Sequence, residues 1–254
     1  MTTNIRVTAK KSLGQNFLVN EGVLDRIVAA ADISPSDIIV EVGPGTGALT
    51  KRLAATGATI VALEKDRRLI EPLEEHFAGA SNVSIIEADI LRWRPPYPAG
   101  SYKVVANIPY YLTSHLLRLM LEAWPSPSRA ILMVQHEVAK RMMARPSDMN
   151  LLALSVQLFA RPSLVMRVSP GSFRPVPEVD SAVIKLDIER HTDTERALAL
   201  RVLAIAKPAF AQKRKQLKSS VDSEALRNAD IKPSARPQEL SIENWRCLAK
   251  EIEL

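Results

Sequence analysis

Residues 38–47 read Ile38-Ile39-Val40-Glu41-Val42-Gly43-Pro44-Gly45-Thr46-Gly47, a β-type run that ends in a cluster of glycines. A helix is predicted directly after it, over Ala48 to Ala55. Glycine permits a sharp turn and lets the backbone come close to a nucleotide. The full dinucleotide-binding pattern is not met, because Ala48 stands where its last glycine would come. A tight turn with a purely structural role explains the same residues, so this loop alone is weak evidence.

Further β-type runs alternate with helix-like segments as far as Leu186. This alternation predicts an α/β fold of the Rossmann-like kind, a parallel sheet with helices on both faces. Ligands of such sheets bind outside the carboxyl ends of the strands. We therefore expect one site where the first four runs end, at Gly43, Glu64, Asp89 and Asn107.

Beyond Ile188 the spacing of apolar residues becomes helical, and Ser241 is the predicted N-cap of the last helix. We predict two domains: an α/β domain over residues 1–190 and a small all-helical domain over residues 191–254.

Composition and charge narrow the classes of function. The net charge of +6 and the pI of about 9.5 favour a polyanionic partner such as nucleic acid, although a basic protein without one fits as well. No run reaches the roughly 18 apolar residues of a membrane span. Residues 1–11 lack the apolar core of a secretory signal, and the single cysteine, Cys247, suits a reducing compartment. We expect a cytoplasmic protein that does not bind membranes.

Two acidic residues sit where a nucleoside cofactor would need them. Glu64 ends the second run, about 20 residues after the glycines, where a carboxylate accepts bonds from ribose hydroxyls. Asp89 could accept from an adenine amino group while Ile90 packs on the ring, or it could simply cap a turn. An NAD-dependent oxidoreductase would satisfy the glycines and Glu64 equally well.

The segment Asn107-Ile108-Pro109-Tyr110 is the most specific signal. An adenine N6 is a poor nucleophile because its lone pair is conjugated into the ring. Two acceptors on its hydrogens, the Asn107 side-chain oxygen and the main-chain carbonyl of Pro109 or Ile108, would free that lone pair. Tyr110 offers a face on which a flipped base can stack. A strand-ending turn with an incidental proline and tyrosine is the plainer interpretation.

Together these motifs resemble the ribosomal RNA adenine N6-dimethyltransferase family. The likeness runs nearly end to end, because further segments match in order: residues 10–18 (KKSLGQNFL), 173–183 (FRPVPEVDSAV), 209–217 (AFAQKRKQL) and 235–241 (ARPQELS). The resemblance implies S-adenosyl-L-methionine as cofactor, bound through Asn16, Leu18, Gly43, Gly45, Glu64, Asp89 and Asn107. It implies that Asn107 and Pro109 hold the amine, and that Tyr110 and Phe173 sandwich the base.

Phe173 also has an interpretation of its own. It lies in a loop punctuated by prolines, where an aromatic is more often exposed for contact than buried, although core packing is the alternative.

Within the family, the housekeeping branch dimethylates two adjacent adenines in the 3′-terminal hairpin loop of small-subunit rRNA, and its loss gives kasugamycin resistance. The macrolide-resistance branch methylates one large-subunit adenine. Three features resemble the first branch: Tyr110-Tyr111 with Thr113, the Lys213-Arg214-Lys215 segment and the Ala235-Arg236-Pro237 motif. Ile108 resembles the second. A further departure is Met149-Asn150-Leu151, which stands where the family usually has Tyr-Gly and concerns the local loop more than the chemistry.

The expected partner is small-subunit rRNA, or an immature small ribosomal subunit, bound by a monomer. A solvated charged face is the alternative for the basic residues, and an RNA- or DNA-binding factor on the same scaffold is the alternative for the whole chain. The four histidines show no ligand spacing, so no metal is expected. Phosphate contacts are expected from Lys10, Lys11, Arg141, Lys213, Arg214, Lys215 and Lys218.

Overall fold

The computed structural model describes residues 7–10, 13–212 and 214–252. Nine strands are formed among them: β1 (Phe17–Leu18), β2 (Ile38–Val42), β3 (Thr59–Glu64), β4 (Val83–Glu87), β5 (Lys103–Asn107), β6 (Arg129–Gln135), β7 (Ala160–Val168), β8 (Phe173–Arg174) and β9 (Ser181–Ile188). The α-helices are α1 (Glu21–Ala31), α2 (Ala48–Ala54), α3 (Arg67–Phe77), α4 (Thr113–Arg118), α5 (His136–Met142), α6 (Leu151–Gln157), α7 (Asp193–Ala211), α8 (Ser223–Asn228) and α9 (Ile242–Glu251).

Seven of the strands form one sheet in the order β4-β3-β2-β5-β6-β9-β7. The first five in that order are parallel to one another, as the alternating pattern predicted. Strand β9 departs from the expected parallel arrangement, because it runs antiparallel to β6. Strands β1 and β8 form a separate antiparallel pair. Two-residue strands are too short to show any period, so the sequence did not predict this pair.

Helix α3 shows how packing overrides a local preference. Its N-cap Asp66 accepts a hydrogen bond from the Arg68 backbone N–H at 3.3 Å. The helix continues through Pro72, although proline removes one backbone hydrogen bond. Leu69, Leu73 and Phe77 bury one face together, and that burial outweighs the lost bond.

The main core lies between α1, α2 and the sheet. Buried apolar side chains from both helices pack on inward-facing residues of the central strands, among them Leu24, Ile27, Leu53, Ile60 and Val105. Parallel strands buried on both faces read as near-continuous apolar runs, which is why β2, β3 and β5 were visible in the sequence. This core gives the strand ends a rigid support.

The chain divides into two compact units, residues 1–139 with 163–188, and residues 140–162 with 189–254. Both units are therefore discontinuous in sequence. We propose that residues 1–190 and 191–254 are the two folding units of the chain, as the sequence predicted. Within the described residues, no helix is both long and apolar enough to cross a membrane.

The second unit packs α7 against α9. The rings of Phe210 and Trp245 lie 5.7 Å apart at its centre. Ser241 caps α9 as predicted, because its hydroxyl accepts from the Asn244 N–H at 3.1 Å. Asn150, in the segment where the chain departs from the family, caps α6 by accepting from the Ala153 N–H at 3.1 Å. The departure thus preserves an ordered helix start.

Candidate active site

A cavity opens at the carboxyl ends of the parallel strands in the first unit. Gly43, Glu64, Asp89 and Asn107 all line it, so the four strand ends converge as the topology predicted. Asn16, Leu18, Gly45, Pro109, Tyr110 and Phe173 line the same cavity. The structure therefore brings together every residue assigned to cofactor binding or catalysis. Their roles stay proposals.

The glycine loop needs its glycines for conformation and for space. Gly45 has a φ of +59°, in the left-handed region that side chains disfavour. A Cβ at Gly45 would come 3.0 Å from Cδ1 of Phe17. A Cβ at Gly43, whose φ is +73°, would lie 3.7 Å from the Asn107 carbonyl oxygen and fill part of the cavity wall. The loop thus lies tightly against Phe17 of β1 and in ordinary contact with the end of β5.

Glu64 is 7% exposed and ties the glycine loop to the turn after β3. One carboxylate oxygen accepts from the Gly45 N–H at 3.2 Å. The other accepts from the N–H groups of Lys65 and Asp66, at 2.9 and 2.8 Å. Burial raises the pKa of the Glu64 carboxyl, and these three bonds oppose the shift. Since a carboxylate has about four acceptor positions, Glu64 can still accept a hydroxyl from a ligand.

Asp89 caps a turn, which is one of its two predicted roles, and the contact with an adenine amino group stays a proposal. Its carboxylate caps a turn by accepting from the Leu91 N–H at 3.0 Å. It also lines the cavity, and one oxygen lies 2.8 Å from Lys65 Nζ. The Lys65 bond is the main cause that lowers the pKa of Asp89. The ammonium therefore keeps the carboxylate ionised and able to accept.

Residues 13–18 form a strap along the cavity, and this strap carries Asn16 and Leu18. Gln15 Nε2 donates to Asp66 Oδ2 at 2.9 Å, which joins the strap to the turn after β3. At its other end Leu18 pairs with Phe173 in the β1–β8 ladder. The strap thus connects the acidic side of the cavity to the aromatic side.

Asn107 ends β5, and the next residues turn away from the sheet. The Pro109 carbonyl accepts from the Leu112 N–H at 2.9 Å, which closes the 3₁₀ turn Tyr110–Leu112. A carbonyl has a second lone pair, so Pro109 keeps acceptor capacity. The Tyr110 hydroxyl lies 2.6 Å from Ser181 Oγ. Ser181 was part of a matching motif but had no predicted role.

Phe173 corrects one expectation. We expected an exposed ring, and Phe173 is only 1% exposed. Phe173 belongs to the main core, where it packs with Leu18 and Val168, and it also lines the cavity. The prolines nearby suggested a loop, but pairing of β8 with β1 turns the side chain inward.

Glu41 is a buried carboxyl that the sequence did not single out. It is 1% exposed, and neither of its oxygens makes a hydrogen bond within the described part of the chain. Burial is the main cause that raises its pKa to about 8; the nearby Thr50 hydroxyl opposes the shift, and the charge of Glu64 adds to it. The glycine loop thus begins next to a carboxyl that is largely neutral at pH 7.

The basic residues assigned to RNA are exposed where the structure describes them: Lys10 in the first unit, and Arg141, Arg214, Lys215 and Lys218 in the second. Lys11 and Lys213 lie outside the described residues. Arg214 and Lys215 follow the end of α7, and the buried Leu217 anchors the segment by donating its N–H to the Ala235 carbonyl at 2.8 Å. Over the described ranges, no group of three or more His, Cys, Asp or Glu residues is placed to hold a metal ion.

Known proteins match the chain along its length. A relative from Dehalococcoides mccartyi called ribosomal RNA small subunit methyltransferase A is 41% identical, over 99% of this chain and 91% of the relative. A relative of the same name from Synechococcus is also 41% identical, over 96% and 95%.

Solved structures agree. A dimethyladenosine transferase from Plasmodium falciparum superposes with a TM-score of 0.77 at 27% identity, covering 91% of this chain and 95% of that one. The 23S rRNA methyltransferase ErmE superposes with a TM-score of 0.75 at 28% identity, covering 93% and 99%. These likenesses confirm the predicted fold class. The profile of the ribosomal RNA adenine dimethylase family matches residues 6–253, and the chain belongs to that family.

Proposed function

We propose that this protein dimethylates N6 of two adjacent adenines in the 3′-terminal hairpin loop of small-subunit rRNA, with S-adenosyl-L-methionine as methyl donor. Membership of the family makes the chain an rRNA adenine dimethyltransferase, and the choice of subunit and hairpin is the finer proposal. The observation that carries it is the 41% identity, over 99% of the chain, to a relative named for the small subunit. ErmE, named for 23S rRNA, is 28% identical.

The cavity fits such a cofactor. Gly43 and Gly45 both line the cavity, and their left-handed backbone, with φ of +73° and +59°, forms the tight loop that would pass beside the bound group. Glu64 would hold the ribose hydroxyls, and Asp89 the adenine amino group, beside the buried Ile90. When bound, the cofactor supplies an electrophilic methyl group on a cationic sulfonium. The chain therefore needs to supply binding and alignment.

On the substrate side, Asn107 and Pro109 would accept the two hydrogens of the target amine. Accepting both hydrogens draws the nitrogen towards a tetrahedral form and directs its lone pair into the cavity. Tyr110 and Phe173 would hold the flipped base between them. A large part of the rate enhancement would come from this alignment, because binding both reactants in the reactive orientation removes the entropic cost of a bimolecular encounter.

The partner and setting are proposed at the same level. Exposed basic residues of the second unit would contact phosphates of the rRNA in an immature small subunit. We propose a cytoplasmic monomer that does not bind membranes.

The test uses small ribosomal subunits that lack the modification. Incubation of the protein with radiolabelled S-adenosyl-L-methionine should yield N6,N6-dimethyladenine at two adjacent hairpin positions. Large subunits incubated in parallel are the control for specificity. Label in the large subunit alone would contradict the assignment and favour the branch that Ile108 resembles.

A further inference from the structure

We propose that Ser181 is a positioning residue for methyl transfer, and that its hydroxyl holds the Tyr110 ring at the angle needed to stack on the target base. The two hydroxyl oxygens lie 2.6 Å apart, and either can be the donor. This inference rests on the proposed function, because it takes Tyr110 as the stacking residue.

Ser181 is a firm anchor. It is fully buried at the start of β9, and it pairs with Gln135 at the carboxyl end of β6. The residue before it, Asp180, accepts from the His136 N–H at 2.9 Å through its carbonyl and forms an ion pair with Arg167 through its carboxylate. Both backbone and side chain of the preceding residue are thus held, so the Ser181 hydroxyl has a defined position.

Tyr110, by contrast, needs something to hold its ring. Its backbone is set by the 3₁₀ turn, which leaves the side-chain torsions to be decided by contacts. The residue is half-buried on the cavity wall. The Tyr110 phenol, whose ordinary pKa of 10 is raised further by burial, is protonated near neutral pH and can donate to Ser181 or accept from it. The bond therefore fixes the far end of the ring.

The segment 173–181 would then position the aromatic residues on both faces of the base. Phe173 lies in β8, held by the pairing of Leu18 with it, and Ser181 begins β9 eight positions later. The segment 173–181 supplies the first aromatic side chain directly and orients the second through Ser181. A shift of this segment would move both faces together.

Three variants test the inference: Ser181→Ala, Tyr110→Phe and the double variant. Each is assayed for methylation of unmodified small subunits and, by calorimetry, for S-adenosyl-L-methionine affinity. Either single change should lower kcat/KM for the RNA about fivefold, the effect of one net hydrogen bond, and leave the cofactor Kd unchanged. The double variant should lose no more than either single one, because both remove the same bond.

The matched control is Ser128→Ala. Ser128 also bonds through its hydroxyl, to the Tyr102 carbonyl at 3.1 Å, but it precedes β6 and so lies at the end of the sheet opposite the cavity. It should leave kcat/KM unchanged. The inference would be overturned if the effects of the two single changes multiplied in the double variant. Full activity of Tyr110→Phe would also overturn it. Tyr110→Phe leaves the buried serine intact and so keeps the test valid if Ser181→Ala folds poorly.

The two proposals fail differently. A wild-type protein that methylates no adenine would contradict the proposed function. A fully active Tyr110→Ala variant would contradict the role of Tyr110 in that function. Active wild type with an inactive Tyr110→Ala variant and an unaffected Ser181→Ala variant would remove the role of Ser181 alone.

Discussion

At the scale of single residues, the site uses ordinary groups placed in unusual surroundings. Asn107 and Pro109 gain their proposed role from their place at the end of β5, beside the glycine loop. Glu41 differs from an exposed glutamate in its burial and in the nearby charge of Glu64. The roles of Asn107 and Glu41 are therefore tested by substitutions that remove the amide of one and the ionisable carboxyl of the other.

Asn107→Ala should lower methylation about a hundredfold to a thousandfold, the usual cost of removing one directional hydrogen-bonding group from a reacting centre. Binding of the RNA should change little, because most of that affinity comes from phosphate contacts elsewhere. Methyl incorporation and filter binding on the same preparation measure the two effects. Equal loss of both would mean that Asn107 has a structural role.

Glu41 predicts a pH dependence of stability. Its pKa is 4.5 in the unfolded chain and about 8 in the fold, so between these values the folded state keeps a proton that the unfolded state has lost. Stability from this group is complete below pH 4.5 and falls by about 1.4 kcal/mol per pH unit as pH rises towards 8. Glu41→Gln cannot ionise. Its stability relative to wild type should therefore increase from pH 5 to pH 8.

Urea unfolding at several pH values measures this difference. Glu74→Gln, at an exposed position of α3, is the control and should show the same pH dependence as wild type. A constant difference between Glu41→Gln and wild type would show that Glu41 ionises normally.

At the scale of elements, the glycine loop, the strap and the β1–β8 pair meet in one place. Phe17 of β1 leaves no room for a Cβ on Gly45, while Leu18 pairs with Phe173. The glycine loop and the Phe173 side of the cavity are therefore joined through two consecutive residues. A side chain added in the glycine loop should therefore displace the strap.

Gly45→Ala should weaken S-adenosyl-L-methionine binding about tenfold. Alanine at a φ of +59° is strained by about 1 kcal/mol, and its Cβ would also displace the Phe17 ring. Calorimetry measures the affinity. Gly79→Ala is the matched control, because a Cβ there meets nothing within 4 Å. Equal affinities in the two variants would show that the loop tolerates a side chain.

At the scale of the whole molecule, the net charge and the division into two compact units bear on the proposed RNA binding. The cavity lies in the first unit, and most of the basic residues assigned to RNA lie in the second. The net charge of +6 favours any polyanion, so a specific cluster must be separated from a general effect of charge.

Changing Lys213, Arg214 and Lys215 together to alanine should weaken RNA binding and lower the slope of log K against log salt by about two, close to 0.7 per lost phosphate contact. The control changes three exposed basic residues elsewhere, Lys51, Arg227 and Lys250, and alters the net charge equally. Titrations at several salt concentrations measure both. Identical slopes for the two triple variants would mean that the basic run is a solvated face.

The sequence alone determined the main architecture and the location of the site. Glycines, buried strands and polar strand ends are local patterns, and the topology of parallel sheets brings those ends together. The ordered motifs from residue 10 to residue 241 identified the family, which the comparisons confirmed.

Only the tertiary structure decided the burial of Phe173, the shifted pKa of Glu41, the antiparallel β9 and the bond between Tyr110 and Ser181. Each depends on neighbours far away in the chain: the two hydroxyls are separated by 71 residues, and Phe173 pairs with Leu18. Local patterns report the preference of a segment for helix, strand or turn. They do not report which distant side chains remove water from a given residue, and it is that desolvation and contact that set the geometry of this site.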